Sequence, residues 1–163
     1  MTGSSGSGGA WQAPADGAGP APGIEFASPG ARLVGYIVDL IIQGVIVLFL
    51  GLMARILGEL FWPLGVLSAL AIVAVAVGYF PFFWASTGQT PGMSMMKIKV
   101  VRDSDGGPVT AGAAILRWIG FWVSHAVFYL GFIWIFVDKR RRGWMDLIGG
   151  TVVVTAPQIP YSD

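Results

Sequence analysis

A lone carboxylate within an apolar run is the first group here that could do chemistry. Asp39 lies in the stretch Leu33 to Ala54, seven residues after Arg32. A charge near a bilayer centre costs roughly 2.5 to 3.5 kcal/mol on insertion scales, so such a group faces protein or a water-filled cavity. Arg32, Gly35, Tyr36, Asp39 and Gln43 recur at three- and four-residue steps and form one polar stripe down a helix. In a later apolar segment Arg117, Gly120, Ser124 and Gly131 fall near one face. Arg117 is the natural counter-ion for Asp39, because a buried charge without a partner costs several kcal/mol. Asp39, Gln43, Arg117 and His125 therefore outline an ion or proton site. The competing reading is a charge that locks helix packing.

Several chemistries are excluded. The chain has one histidine and no cysteine, so no metal-ligating set is present, and any ion would be held by oxygen donors, as suits sodium or another hard cation. His125, among Trp122, Phe128 and Tyr129, is in a setting typical of a hydrogen-bonded packing residue. There is no nucleophile elbow, phosphate loop or carboxylate pair. No catalytic residue and no cofactor are expected, and the chain is not read as an enzyme. A net charge of +1 without a clustered basic face argues against nucleic acid as a partner.

Lys139, Arg140, Arg141 and Arg142 form a basic cluster suited to anionic lipid headgroups, at about 1 kcal/mol per residue near the surface. Asp138 neutralises it locally. Asp146 lies just before a β-branched run, where it can cap a short helix or bind Arg32.

Elements that could position these groups follow from hydropathy. With 55% hydrophobic residues, 12% charged and a mean hydropathy of +0.70, the chain is lipid-solvated. Residues 1–30 are rich in Gly, Ser, Pro and Ala and read as a disordered tail, with Trp11, Ile24 and Phe26 as its large apolar groups. The membrane domain covers 31–155, and 156–163 is a C-terminal tail. Segments 33–54 and 61–80 approach the roughly 20 residues that cross a bilayer. Arg55 to Leu60 is then a tight connection, so the two helices form an antiparallel hairpin. Gly44, Gly51, Ala74 and Gly78 are small enough to let the helices close. No basic n-region precedes the first span, so it is expected to stay attached rather than be cleaved as a signal peptide. Trp62, Trp84, Trp118, Trp134 and Trp144 suit an interfacial belt.

The third segment, 115–137, is harder to place. Lys97, Lys99 and Arg102 put the loop after the second span, and hence the N-terminus, in the cytoplasm. Three plain crossings would then strand Lys139 to Arg142 outside. Lys97 to Val101 and Thr151 to Thr155 read as short strands able to pair. If they pair, the third segment enters and leaves on one face, as a broken or re-entrant helix bending near Gly120 or Gly131. The fold expected is an all-α membrane protein: a small bundle with a two-helix hairpin, a third apolar segment that is broken or re-entrant, and a short cytoplasmic β-strand pair.

Three pieces of sequence resemble the RDD family of small prokaryotic membrane proteins. They are Arg32 to Asp39, then Gly88-Gln89-Thr90-Pro91-Gly92 leading into Lys97 to Val101, and Asp146 to Val154. The resemblance covers about Pro29 to Thr155 and implies that Arg32, Asp39 and Asp146 are the family's polar motif. Met93 and Met145 stand where the family commonly has lysine and histidine. Some members look like cation/proton antiporters; others occur beside, or fused to, other membrane proteins. Three roles follow: an accessory or scaffolding subunit packed against itself or a larger complex, a homo-oligomeric sodium/proton exchanger using Asp39, and auxiliary binding of headgroups. The expected location is the bacterial cytoplasmic (inner) membrane, multi-pass.

Overall fold

The computed structural model describes residues 24–156. Trp11 and the last seven residues lie outside the described residues.

Helix α1 runs from Pro29 to Leu60 and α2 from Trp62 to Ser86. Ser28 caps α1, its hydroxyl accepting from Ala31 N at 3.1 Å, and Pro29 fits the first helical turn because its missing N–H would have no partner there. Both helices are long and apolar enough to cross a membrane. Both outrun the expected spans. Residues 55–60 continue α1 instead of forming a connection, and Phe61 alone, in extended conformation, turns the chain. Pro81 does not end α2, which continues five residues beyond it; membrane helices tolerate proline because neighbours re-satisfy the freed carbonyl.

The hairpin closes where its tip is narrowest. A Cβ on Gly65 would lie 3.0 Å from Gly58 Cα and 3.4 Å from the Ala54 carbonyl, whereas Gly44, Gly51 and Gly78 have nothing within 4 Å. The glycines expected to close the hairpin therefore face outward, and Gly58 with Gly65 does that work.

A short helix, α3 (Pro91–Met95), leads into β1 (Ile98–Arg102), which pairs antiparallel with β2 (Thr151–Thr155) with Val100 opposite Val153. Ile98, Val100, Val152 and Val153 are all but fully buried. Phe26 bridges to Val154, Ala27 N donates to Val153 O at 2.9 Å, and Phe26 packs with Val101, Val152 and Val154. The expected disordered tail thus has an ordered end: residues 24–30 belong to the fold.

Between the strands lie α4 (Ala111–Ala126), α5 (Leu130–Ile133), a 3-10 turn (Trp134–Phe136) and α6 (Trp144–Gly149). The axis bends by 111° between α4 and the Leu130–Phe136 stretch. This break is at neither Gly120 nor Gly131. Phe128 and Tyr129 adopt left-handed backbone, φ 49° and 62°, and make the turn. Gly120 and Gly131 instead permit close packing: a Cβ at Gly120 would lie 2.7 Å from Met145 Cα, and one at Gly131 would strike Ser124. Because Arg102 and Thr151 are partners in the sheet, everything from 103 to 150 leaves and returns to one place. Two hairpins, one long and one broken, therefore rise from a common sheet base.

Candidate functional site

Two polar knots occupy the base, and each is centred on one carboxylate.

The first is Asp39, 1% exposed. Tyr79 of α2 donates its hydroxyl to Oδ1 at 2.9 Å, Gly92 N of α3 donates to the same oxygen at 2.8 Å, and the Thr90 hydroxyl donates to Oδ2. Thr90 also caps α3, accepting from Met93 N at 3.2 Å. The carboxylate thus ties α1, α2 and α3 through neutral donors. Close approach makes this possible: a Cβ at Gly35 would lie 3.3 Å from Gly92 O, and one at Gly92 would lie 2.9 Å from Asp39 Cγ. One turn deeper, Gln43 Nε2 donates to Val75 O at 3.1 Å. The polar stripe of α1 therefore faces protein, but Arg117 is not the counter-ion of Asp39.

Arg117 belongs to the second knot. Its Nη1 donates to Asp146 Oδ1 and to Thr151 Oγ1, the latter at 2.8 Å, and its guanidinium carbon lies 4.7 Å from the centroid of Trp84. Arg32 Nη1 donates to the other oxygen of Asp146 at 2.7 Å. Asp146 also accepts from Gly143 N at 2.9 Å, closing a cap on α6. One carboxylate thus serves two guanidinium ions and a helix end, with no exposed surface of its own. Burial pushes its carboxyl up, but Arg117 and Arg32 outweigh that and hold it below the usual carboxylate value. The contact expected between Arg32 and Asp146 is present, as is the cap. Trp84, packed under Arg117 and 4% exposed, is not part of an interfacial belt.

The loop motif serves the first knot. Gly88, with φ +73°, offers its carbonyl to Val100 N at 2.8 Å, and Gln89 Nε2 donates to Ile98 O at 2.9 Å, so this turn is stitched to β1. His125 does not join either carboxylate: its Nδ1 is 2.9 Å from Phe121 O, and its ring packs on Phe121, Tyr129 and Phe132.

The basic cluster is divided. Arg140 and Arg142 reach Asp103 at 2.6 and 2.9 Å, and Arg142 also pairs with Asp138 at 3.1 Å. Burial raises the Asp138 carboxyl, but its bonds with Arg142 hold it below the ordinary value. Lys139 and Arg141 are exposed, and Arg141 also donates to Phe26 O at 3.2 Å. Of the four residues expected to meet headgroups, Arg140 and Arg142 are thus engaged by carboxylates of the chain itself.

Sequence reasoning missed Tyr79 and Thr151 as partners. Tyr79 carried a usable signal. Asp39 is 22 residues before Phe61 and Tyr79 is 18 after it, so in a hairpin turning at Phe61 they fall within about one 3.6-residue turn of each other.

A cavity of about 650 Å³ lies between α1 and the broken segment, lined by Arg32, Tyr36, Asp39, Arg117, Phe121 and His125 among others. Among the described residues no cluster of three or more metal-ligating side chains occurs.

Comparison with known proteins adds one broad and one narrow likeness. The family model described as RDD family matches residues 26–150. The proline-rich antigen of Mycobacterium leprae is 28% identical over 83 residues, covering 51% of this chain and 33% of that protein. The proline-rich antigen homolog of Mycobacterium tuberculosis is 27% identical over 82 residues, 50% of this chain and 34% of the relative. The chain thus spans about a third of the length of these curated relatives. No solved structure matches.

Proposed function

The chain belongs to the RDD family, and from that premise we propose that it is an accessory or scaffolding subunit of the bacterial cytoplasmic membrane, packing its long hairpin against a second copy or a larger complex. The observation that carries this reading is the Asp39 knot. Its acceptors bind donors from α2 and α3, which makes the carboxylate a three-way clamp that fixes the angle at which the hairpin rises. The hairpin beyond the clamp is then a rigid apolar arm, with Leu48 75% exposed and Phe49 60% exposed. Lys97, Lys99, Arg102 and the 139–142 cluster all lie at the sheet base, while the tip has only the exposed Arg55–Glu59 pair at 3.7 Å. That asymmetry supports a cytoplasmic base, a cytoplasmic N-terminus and a re-entrant third segment. Lys139 and Arg141 would hold anionic headgroups there.

Purification in mild detergent tests the proposal. A stoichiometric partner or a defined multimer is expected, and a monodisperse monomer from native membranes overturns it. A second reading, a homo-oligomeric sodium/proton exchanger, is favoured by one observation: Asp39 and His125 line the same cavity. Sodium-driven proton movement in proteoliposomes, abolished by Asp39→Asn, would select it.

A further inference from the structure

The cavity between α1 and the broken segment combines three properties that no structural tie requires. It is open: Leu33, Tyr129 and Phe136 line it while being 59%, 58% and 76% exposed, so it communicates with the lipid-facing surface. Its walls are mostly apolar and aromatic, with Tyr36, Phe80, Phe121 and Phe132 among them. One end is cationic. Arg32 and Arg117 both line it and share the single carboxylate of Asp146, so two positive charges meet one negative charge. Arg32 Nε and Arg117 Nε are buried without a hydrogen-bond partner among the described residues, so the protein leaves the donors of this guanidinium pair incompletely satisfied. Asp39 does not cancel this charge at the same place. It is seven residues further along α1, about 10 Å by helix rise, and its oxygens already accept from Tyr79, Thr90 and Gly92.

We propose that this cavity binds one acyl chain bearing an anionic head, with the chain along the aromatic wall and the phosphate or carboxylate oxygens on Arg32 and Arg117. A volume near 650 Å³ is within the range of small-molecule sites, about 300–1,000 Å³. Guanidinium forks match either kind of oxyanion, and an open side lets a second acyl chain remain in the bilayer. The site depends on neither reading of Asp39, because it uses the opposite end of the cavity. It also differs from the exposed Lys139 and Arg141, which meet headgroups only at the surface.

Native mass spectrometry of the full chain, released from detergent with equal amounts of phosphatidylglycerol, phosphatidylcholine and palmitate, tests this. Retention of phosphatidylglycerol about tenfold above phosphatidylcholine, the scale of one charge-assisted hydrogen bond, supports the site with a phospholipid occupant. The same preference for palmitate supports it with a free acid. Equal retention of all three, or none, overturns it. Leu33→Trp, which narrows the open side without altering either arginine, is expected to remove the bound amphiphile; unchanged retention in that variant overturns the placement. Arg32→Lys, which keeps the charge and loses the fork, is expected to weaken retention while Lys139→Gln leaves it unaltered, and the reverse order assigns the lipid to the surface cluster instead.

Discussion

The base of this molecule and the tip of its long hairpin are held together by different physics. At the base, Asp39 and Asp146 are both 1% exposed or less, and each joins three elements through directed hydrogen bonds. At the tip, α1 and α2 meet mainly through the close approach of Gly58 and Gly65, and Leu60 and Trp62 are 81% and 72% exposed. Geometry at the base is therefore fixed by a few groups whose loss leaves buried charges or buried donors unpaired, while geometry at the tip is set by van der Waals fit and by the surrounding lipid. The base should fail sharply under single substitutions. The tip should yield gradually.

The largest effect is expected from Asp146→Asn, which leaves Arg32 and Arg117 buried without an anion; breaking a buried pair costs about 3 to 5 kcal/mol, and loss of protease-resistant protein in detergent would register it. The swap of Arg32→Asp with Asp146→Arg is not expected to rescue, since Arg117 would then face a second cation. Next comes Gly92→Ala. Its Cβ would strike the Gly35 carbonyl and lie 2.9 Å from Asp39 Cγ, placing it at the upper end of the about 1–3 kcal/mol of overpacking, seen as a lowered thermal midpoint. Asp39→Asn should cost about 1–3 kcal/mol by the same measurement, because the amide nitrogen replaces one of the two oxygens and so faces a hydroxyl, of Tyr79 or of Thr90, that now donates. Acid should act on the base alone. Asp146 is depressed in the folded state, so its contribution is complete above the ordinary value of 3.8 and is lost as pH falls through the lower folded value; unfolding midpoints followed from pH 6 to pH 2 would show it. The smallest effect belongs to the tip: Gly51→Ala, with open space around it, should stabilise α1 by about 0.5 to 1 kcal/mol. A loss there would mean that this face is already covered.

Much of the architecture was legible because hydropathy and β-branching are local signals. The hairpin, the paired strands and a broken third segment all follow from such runs. The Arg32–Asp146 contact was legible as well, since both residues stand at the ends of apolar elements where few partners exist. The partner of Asp39 was not. Coulomb reasoning favours an opposite charge, whereas two hydroxyls and an amide satisfy a carboxylate equally well once Gly35 and Gly92 let the backbones approach. The bend at Phe128 and Tyr129 was hidden for a similar reason: packing against His125 and Phe132 offsets the reluctance of Tyr129 to take left-handed backbone, while nothing in the structure explains the same conformation at the 86% exposed Phe128.

That one carboxylate late in the chain serves two earlier arginines sets an order of events during synthesis. Asp146 emerges from the ribosome 114 residues after Arg32, roughly 6 to 23 s later at about 5–20 residues per second. Through that interval the first helix exists without the carboxylate that pairs with its Arg32 in the finished fold. Insertion is thus separated from final assembly, and a nascent chain halted before Asp146 would present two free guanidinium groups as a mark of incompleteness.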